Sequence, residues 1–239
     1  RPAPFAAGHL PVPRLSRARL AAESDLPVAV VDARLDAVYA RLRERRAQRR
    51  LPGGAQVLGG WNGLVLSALA EAAVVIDAGK TDGAYGRDAA ALEAFLLREF
   101  QVEGRLVRMR AGGSPALAAD LEDYAHVVAG LQHWRAVRGG GRDGVVEELL
   151  RQAWRRFHVE GRWRLGADAL LRWDSGPALL ADGPLPAAPA VLLAATRNAG
   201  MDDLPVQQAL DALLPWVVRQ PLEHASYIEL FGSGPASAP

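Results

Sequence analysis

Residues 57–76 read VLGGWNGLVLSALAEAAVVI, and this stretch decides which folds the chain can adopt. After the glycines, apolar and small residues fill nearly every face of a predicted helix over 62–76, and the stretch 64–76 is interrupted only by Ser67 and Glu71. A helix that is apolar almost all round is typical of one buried on most sides. The apolar run over 64–76 is also shorter than the roughly 18 residues that a membrane-spanning helix needs. The stretch therefore predicts a helix enclosed by other helices.

The segments around this stretch have helical periodicity too, and they alternate with it in character. The spacing of apolar residues predicts further helices over 32–50, 88–100, 121–137, 144–157, 186–199 and 203–220, with a short segment after Pro221. The helix over 186–199 is again nearly all apolar, whereas most of the others are amphipathic. Pro215 should kink or break the last long helix, because proline lacks an amide and clashes with the preceding turn. The alternation predicts an all-α, two-layered ring, since a plain four-helix bundle would make every helix amphipathic.

A six-residue motif occurs twice. FQVEGR at 100–105 recurs as FHVEGR 57 residues later, at 157–162. Each copy closes a predicted helix and opens a short strand pair, with strands over 106–109 and 163–165, and its glycine suits a tight hairpin turn. A period of this size indicates a repeated pair of helices. The chain has room for about four such pairs, so we expect an incomplete ring with two small β hairpins.

The two ends of the chain lack this periodicity. Residues 1–31 are rich in proline and alanine, which predicts an extended lead-in with one helical turn at most. Asp32 is the expected N-cap of the first helix. We expect the helical ring to span 32–231 and a flexible tail to span 232–239. Because the chain opens with Arg1 rather than methionine, we interpret it as a fragment or a processed product.

The composition excludes several classes of function. The 239 residues contain no cysteine, so disulfides, thiolate catalysis and cysteine-bound zinc are excluded within them. A net charge of +1 gives the whole chain no signature of nucleic-acid binding. No signal peptide is visible, and no membrane partner is expected. The cysteine content fits both cytoplasm and periplasm, of which we favour the cytoplasm.

Two motifs resemble those of a known family. Residues 57–64, VLGGWNGL, resemble the motif DDKVLTSWNGL of the YyaL-type, or spermatogenesis-associated thioredoxin-like, proteins, and LEDYA at 121–125 resembles their LDDYA. The basic first helix, the two glycine hairpins and the proline- and alanine-rich helix near 186 follow in the family's order. The resemblance implies an (α/α) toroid of the six-hairpin glycosidase-like type, similar to sugar epimerases, here incomplete. It also implies a thioredoxin-like domain upstream in the parent protein.

The chain departs from the family's pattern at its polar positions. Gly54, Ala55 and Gln56 stand where the family has DDK, and Gly59 and Gly60 replace its TS. The first aspartate of DDYA is Glu122 here. After Asp182, the sequence PAAPA at 186–190 replaces the family's PSGNS. These changes remove most of the polar lining of the expected cleft, which counts against retained chemistry.

Three carboxylates are the candidate catalytic residues: Asp123, Glu122 and Asp182. Glycosidases divide the acid role and the nucleophile or base role between two carboxylates, and Asp123 matches the retained second aspartate of DDYA. The alternative is structural. Asp120, Glu122 and Asp123 fall in the first turn of a predicted helix, where carboxylates cap backbone amides and stabilise the helix dipole. The structural interpretation is the one that this position favours.

Five residues are candidates for substrate binding: Trp61, Asn62, Tyr124, Trp163 and Trp173. Tryptophans can form a platform on which sugars stack, but they also fill helical cores. We expect core packing for Trp61 and Trp134. Trp163 and Trp173 belong to hairpin segments and are expected to be more open.

Neither the histidines nor the arginines indicate a further ligand. His126 and His133 are seven residues apart, whereas a helical metal pair needs a spacing of three or four. No metal site and no cofactor are therefore expected. The arginine run over 41–50 lies on an amphipathic helix. We expect Arg41, Arg45 and Arg49 to be exposed, opposite a buried face formed by Leu35, Val38, Tyr39 and Leu42, and we expect no nucleic-acid partner.

Two hypotheses of function remain. The first is a carbohydrate-active-like domain, hydrolase or epimerase, with little or no activity on its own and a carbohydrate-like ligand. The alternative is a non-catalytic scaffold or interaction module that works beside a thioredoxin-like domain. The first depends on Glu122 and Asp123 at a helix start, and the second on the lost DDK and PSGN residues.

Overall fold

The computed structural model describes residues 14–48, 56–140, 144–166 and 177–232. It divides the chain into two compact units, Arg1–Gly53 and Gly54–Pro239, whereas the sequence predicted one ring over 32–231. Several predicted features, Trp173 and Arg49 among them, lie outside the described residues.

The first unit contains two helices, α1 (Arg17–Ser24) and α2 (Val28–Ala47). The Ser16 hydroxyl caps α1 by accepting a hydrogen bond from the Arg19 amide at 3.3 Å. The prediction of an extended segment over 1–31 is therefore wrong for 17–24 and 28–31. Asp32 is not an N-cap, because α2 begins four residues earlier, after Pro27. Its carboxylate instead accepts a hydrogen bond from the Arg17 guanidinium at 2.7 Å.

The predicted buried face of α2 is wrong as well. Val38 is 51% exposed, Tyr39 and Leu42 are also exposed, and Val31 is the one residue of α2 that is buried. The eight-residue helix α1 is too short to cover a 20-residue neighbour. Arg41 and Arg45 are exposed, as predicted.

The described part of the second unit is mostly helical, as expected for an all-α fold with small strands. Its helices are α3 (Gly59–Val75), α4 (Ala84–Glu99), α5 (Leu121–Val137), α6 (Gly144–Phe157), α7 (Pro177–Leu180), α8 (Ala188–Asn198), α9 (Val206–Arg219) and α10 (Ala225–Gly232), with a 3-10 turn at Pro221–His224. Its strands are β1 (Gln56–Leu58), β2 (Gln101–Val102), β3 (Arg105–Ala111), β4 (Ser114–Ala118), β5 (His158–Val159) and β6 (Arg162–Trp163). The bounds of α5 and α6 match those predicted from the sequence. Of the predicted kink or break at Pro215, the break does not occur, because α9 continues through this residue.

Among the described residues of this unit, the main helices form three pairs, α3–α4, α5–α6 and α8–α9, and α10 packs beside α8 and α9. The sequence predicted about four pairs for the whole chain. α5 packs between α3 and α8. The Gly60 amide donates a hydrogen bond to the Asp123 carboxylate near the starts of α3 and α5. Farther along α5 and α8, the Gln132 side-chain amide donates one to the Ala195 carbonyl. The starts of α3, α5 and α8 also lie together around one cavity, so the first helices of the three pairs run parallel and begin at the same end.

Glycine allows α3 and α5 to approach each other closely. A Cβ atom on Gly63 would lie 2.4 Å from the carbonyl oxygen of His126, and one on Gly130 would lie 2.4 Å from the carbonyl oxygen of Gly63. Neither distance is possible for a real side chain. The two backbones therefore touch at a contact that only glycine permits.

The most enclosed helix is α5 and not α3. Eleven of the 17 residues of α5 are buried. On α3 the small residues face α5, while the opposite side is open: Trp61 is 63% exposed and Val75 is 69% exposed. The prediction of a helix 62–76 buried on most sides is therefore wrong. Hydrophobicity alone could not tell which helix stands between two neighbours.

The repeated motif forms the same hairpin twice. Residues 101 and 102 pair antiparallel with 106 and 105, and residues 158 and 159 pair with 163 and 162. In each turn, glutamate and glycine both have positive φ, as a tight two-residue turn requires. The carbonyls of Phe100 and Phe157 accept equivalent hydrogen bonds from Val107 and Arg164, and both rings are buried. The predicted correspondence of the two copies is thus confirmed in register and hydrogen bonding. In the first copy, β3 also pairs with β1 and β4.

Candidate functional site

The first candidate, Asp123, joins the beginnings of α3 and α5. Its Oδ1 accepts a hydrogen bond from the Gly60 amide and its Oδ2 accepts one from the Asp120 amide, both at 3.1 Å. The Asp120 carboxylate in turn accepts from the Asp123 amide at 3.1 Å, which completes a capping box. The Asp123 side chain is almost fully enclosed, since the residue is 6% exposed. We call Gly60, Asp120 and Asp123 the helix junction.

At the helix junction, burial and the neighbouring polar groups have opposite effects on the pKa of Asp123. Burial raises the pKa of Asp123 to about 6, although Arg108 and the Gly60 amide favour its charged form. Arg108 comes from β3, contacts the Asp120 carboxylate, and places its guanidinium 3.8 Å from Oδ2 of Asp123. A carboxyl group with a raised pKa is a common feature of catalytic acids. Here the same burial that raises the pKa also closes off access to the carboxyl group.

Glu122, the next residue back, has the opposite environment. It is half-buried, and among the described residues no hydrogen bond or ion pair involves its carboxylate. It lines a cavity of about 590 Å³ together with Trp61 and Leu64 of α3. Leu165, Leu179, Ala181 and residues 184–188 complete the wall. We call this space the terminal cavity, because it lies where α3, α5 and α8 begin.

The third carboxylate, Asp182, is committed to the fold. Its Oδ1 accepts hydrogen bonds from the Ala187 amide at 2.8 Å and from the Ser226 hydroxyl, and its Oδ2 accepts from the Ser226 amide at 2.9 Å. Burial disfavours its charge, but these hydrogen bonds outweigh burial and lower the pKa of Asp182. Asp182 thereby links the start of α8 to the start of α10 and has little capacity left for a substrate.

The expected aromatic platform is not formed as predicted. Trp163 is buried, with its ring 5.1 Å from Trp154 and 4.7 Å from His158, so the expectation of an open position is wrong. Trp61 is exposed beside the terminal cavity, which corrects its expected place in the core. Trp134 is buried, as predicted. Trp173 lies outside the described residues.

Tyr124 and Asn62, two of the candidate substrate-binding residues, already have hydrogen-bond partners within the protein. Tyr124 is completely buried; its hydroxyl donates to Gln152 at 3.0 Å and accepts from the Leu106 amide at 3.3 Å. The Asn62 side chain donates to the Leu58 carbonyl at 2.7 Å and so stabilises the first turn of α3. The substrate-binding role predicted for Tyr124 conflicts with this burial. Asn62 is half-buried and already bonded to the backbone.

Sequence reasoning missed two contributors to this region. Arg108 lies 12 residues before the capping box, and only the pairing of β3 with its neighbours brings it to Asp120. The segment 184–188 forms part of the wall of the terminal cavity, which its proline and alanine content did not indicate. The capping role of Asp120 had a visible signal, since DLED at 120–123 fits the spacing of a capping box.

Neither a metal-binding cluster nor a membrane-spanning helix is found in the part of the chain that the structure describes. Within it, no three histidine or acidic side chains come together as a metal site would need. None of its helices combines the length and the hydrophobicity needed to cross a bilayer.

Comparison with known proteins adds no assignment. No model of a protein family matches the chain, and no curated protein is significantly similar to it in sequence. The likeness of VLGGWNGL and LEDYA to the YyaL-type proteins therefore stays a prediction.

Proposed function

We propose that this chain is a non-catalytic module, built as part of an (α/α) toroid, that binds or holds a partner and performs no glycoside chemistry. The support from the fold is the set of three helix pairs whose first helices run parallel and begin at one end. The repeated hairpin after α4 and after α6 adds to it, as expected for repeated pairs. An upstream thioredoxin-like domain is the partner that the family resemblance suggests.

The use of the carboxylates is the observation on which the proposal rests. Both oxygens of Asp123 and both oxygens of Asp182 accept hydrogen bonds from the protein's own amides or hydroxyl. A glycosidase needs two carboxylates that face a common substrate across roughly 5 to 9.5 Å. Glu122 faces the terminal cavity without a second free carboxylate among the described lining residues. Among the described residues, glycoside chemistry therefore lacks a pair of carboxylates.

A carbohydrate-active domain is the second candidate, and one observation favours it. Trp61 and Glu122 line the same cavity, which is the combination of aromatic ring and carboxylate found at sugar sites. The raised pKa of Asp123 would suit a general acid if the helix junction opened. Asp123 could take this role only through a conformational change in the capping box, whereas Trp61 and Glu122 already line the cavity.

An assay of turnover separates the two candidates. We expect the purified chain to release no product from a panel of aryl glycosides and to interconvert no free sugars. Turnover that is lost in both Glu122→Gln and Asp123→Asn, but retained in the exposed control Asp202→Asn, would overturn the proposal and establish the second candidate. Equal background signal in all four proteins is the result that the non-catalytic module requires.

A further inference from the structure

The terminal cavity combines an apolar wall with a single charged side chain. Leucine, proline and alanine side chains form most of the lining, and Glu122 is the one charged residue among the described residues that line it. Because no described hydrogen bond or ion pair occupies this carboxylate, it is available to a ligand. A largely apolar pocket with a few polar groups is the usual form of a small-molecule site, and about 590 Å³ falls within the usual size range.

The surrounding charges favour a cation in this cavity. Helix starts attract anions, but the protein's own carboxylates already occupy them here. Asp182 accepts the Ala187 amide at the start of α8, and Asp120 and Asp123 cap α5. No lysine or arginine is among the described lining residues. Among the described lining residues, an anionic ligand would therefore meet Glu122 with no cation beside it.

Trp61 supplies the second half of a cation site. Its indole ring is 63% exposed in the first turn of α3 and lines the same cavity as Glu122. The face of an indole attracts ammonium groups more strongly than other aromatic side chains do. A sugar would suit the cavity less well, because one carboxylate cannot satisfy its many hydroxyl groups.

From these features we infer that the terminal cavity binds a small organic cation, an ammonium group carried on an apolar body. The Glu122 carboxylate pairs with the ammonium group, the Trp61 ring lies against it, and the apolar wall receives the hydrocarbon part. The inference rests on the proposed function in one respect, because it treats the cavity as a place of binding and not of chemistry.

Calorimetric titration of the full chain with three matched probes tests the inference. The probes are 2-phenylethylammonium, its neutral counterpart 2-phenylethanol, and the anion phenylacetate. We expect the ammonium probe to bind about tenfold more tightly than the alcohol, because a charge-assisted contact in a partly desolvated cavity is worth about that factor. Glu122→Gln should weaken the ammonium probe about tenfold, and Trp61→Leu about fivefold. Glu71→Gln removes the same charge from an exposed site on α3 and should leave the affinity unchanged.

Three results would overturn the inference: no binding of the ammonium probe, equal binding of the alcohol, or unchanged affinity in Glu122→Gln. Circular dichroism of each variant shows whether it is folded, so that lost binding is not confused with lost structure. Failure here is distinct from failure of the proposed function. Glycoside turnover would refute the non-catalytic module whatever the probes do, whereas absent cation binding would leave that module in place.

Discussion

The helix junction and the terminal cavity share the same helix ends and differ in almost every physical respect. Asp123 is buried, hydrogen-bonded on both oxygens and part of the contact between α3 and α5. Glu122, its neighbour in sequence, faces a cavity with no hydrogen bond among the described residues. On a helix, adjacent residues point about 100° apart, so one turn can place one carboxylate in the core and the next in a cavity. Two acidic residues that are adjacent in sequence therefore need not share a role.

The glycine contact beside the junction should give the largest effect on stability. Gly63→Ala would place a methyl group against the His126 backbone, and neither helix can move without disturbing the junction. We expect the free energy of unfolding in urea to fall by about 3 kcal/mol, which exceeds the roughly 1 kcal/mol that alanine gains in helix propensity. Gly144→Ala is the control, because open space surrounds that position. An equal effect of the two substitutions would show that the α3–α5 contact is looser than described.

Asp123→Asn should change how stability depends on pH. The pKa of Asp123 is about 6 in the folded protein against 3.8 as the reference value. The folded state therefore holds the proton more tightly, and the wild type should lose stability as pH rises through the window from about 4 to 6. Asparagine cannot titrate. As pH rises across that window, the free energy of unfolding of the wild type should therefore fall relative to that of the variant.

Urea unfolding at several pH values measures this difference directly. Asp182→Asn is a useful contrast, because the pKa of Asp182 is lowered in the folded state. The ionised Asp182 carboxylate should stabilise the fold at pH values above its pKa in the unfolded chain. This stabilisation should be lost as pH falls through its lower pKa in the folded state. If the difference between wild type and Asp123→Asn stays constant from pH 4 to 6, the carboxyl group is not buried as described.

Glu122→Gln should have the smallest effect on stability. The residue loses only the favourable interaction of its charge with the start of α5, worth about 0.3–1 kcal/mol. Thermal or urea unfolding at neutral pH should therefore separate it clearly from Gly63→Ala. A loss as large as that of Gly63→Ala would mean that Glu122 belongs to the helix junction, and the contrast between the two regions would disappear.

Several features of this protein were determined by the sequence alone because they depend on local interactions. The bounds of α5 and α6 follow from apolar spacing and from capping residues such as Asp120, which act within one turn. The two FxVEGR hairpins form alike because glutamate and glycine at their turns and a buried phenylalanine before them are encoded in each copy. The capping position of Asp123 was likewise visible in its place at a helix start.

The tertiary structure decided what depends on neighbours distant in the chain. Whether α3 or α5 is enclosed depends on which helix stands between two others, and both sequences are apolar enough for either place. Trp61 is exposed and Trp163 is buried, although their hydrophobicity is the same, because only the second packs against Trp154 and His158. The Asp182 carboxylate accepts hydrogen bonds from the amide and the hydroxyl of Ser226, 44 residues later in the chain. Periodicity identifies the apolar face of an element, but the packing of the other elements decides whether that face, or a carboxylate beside it, meets protein or solvent.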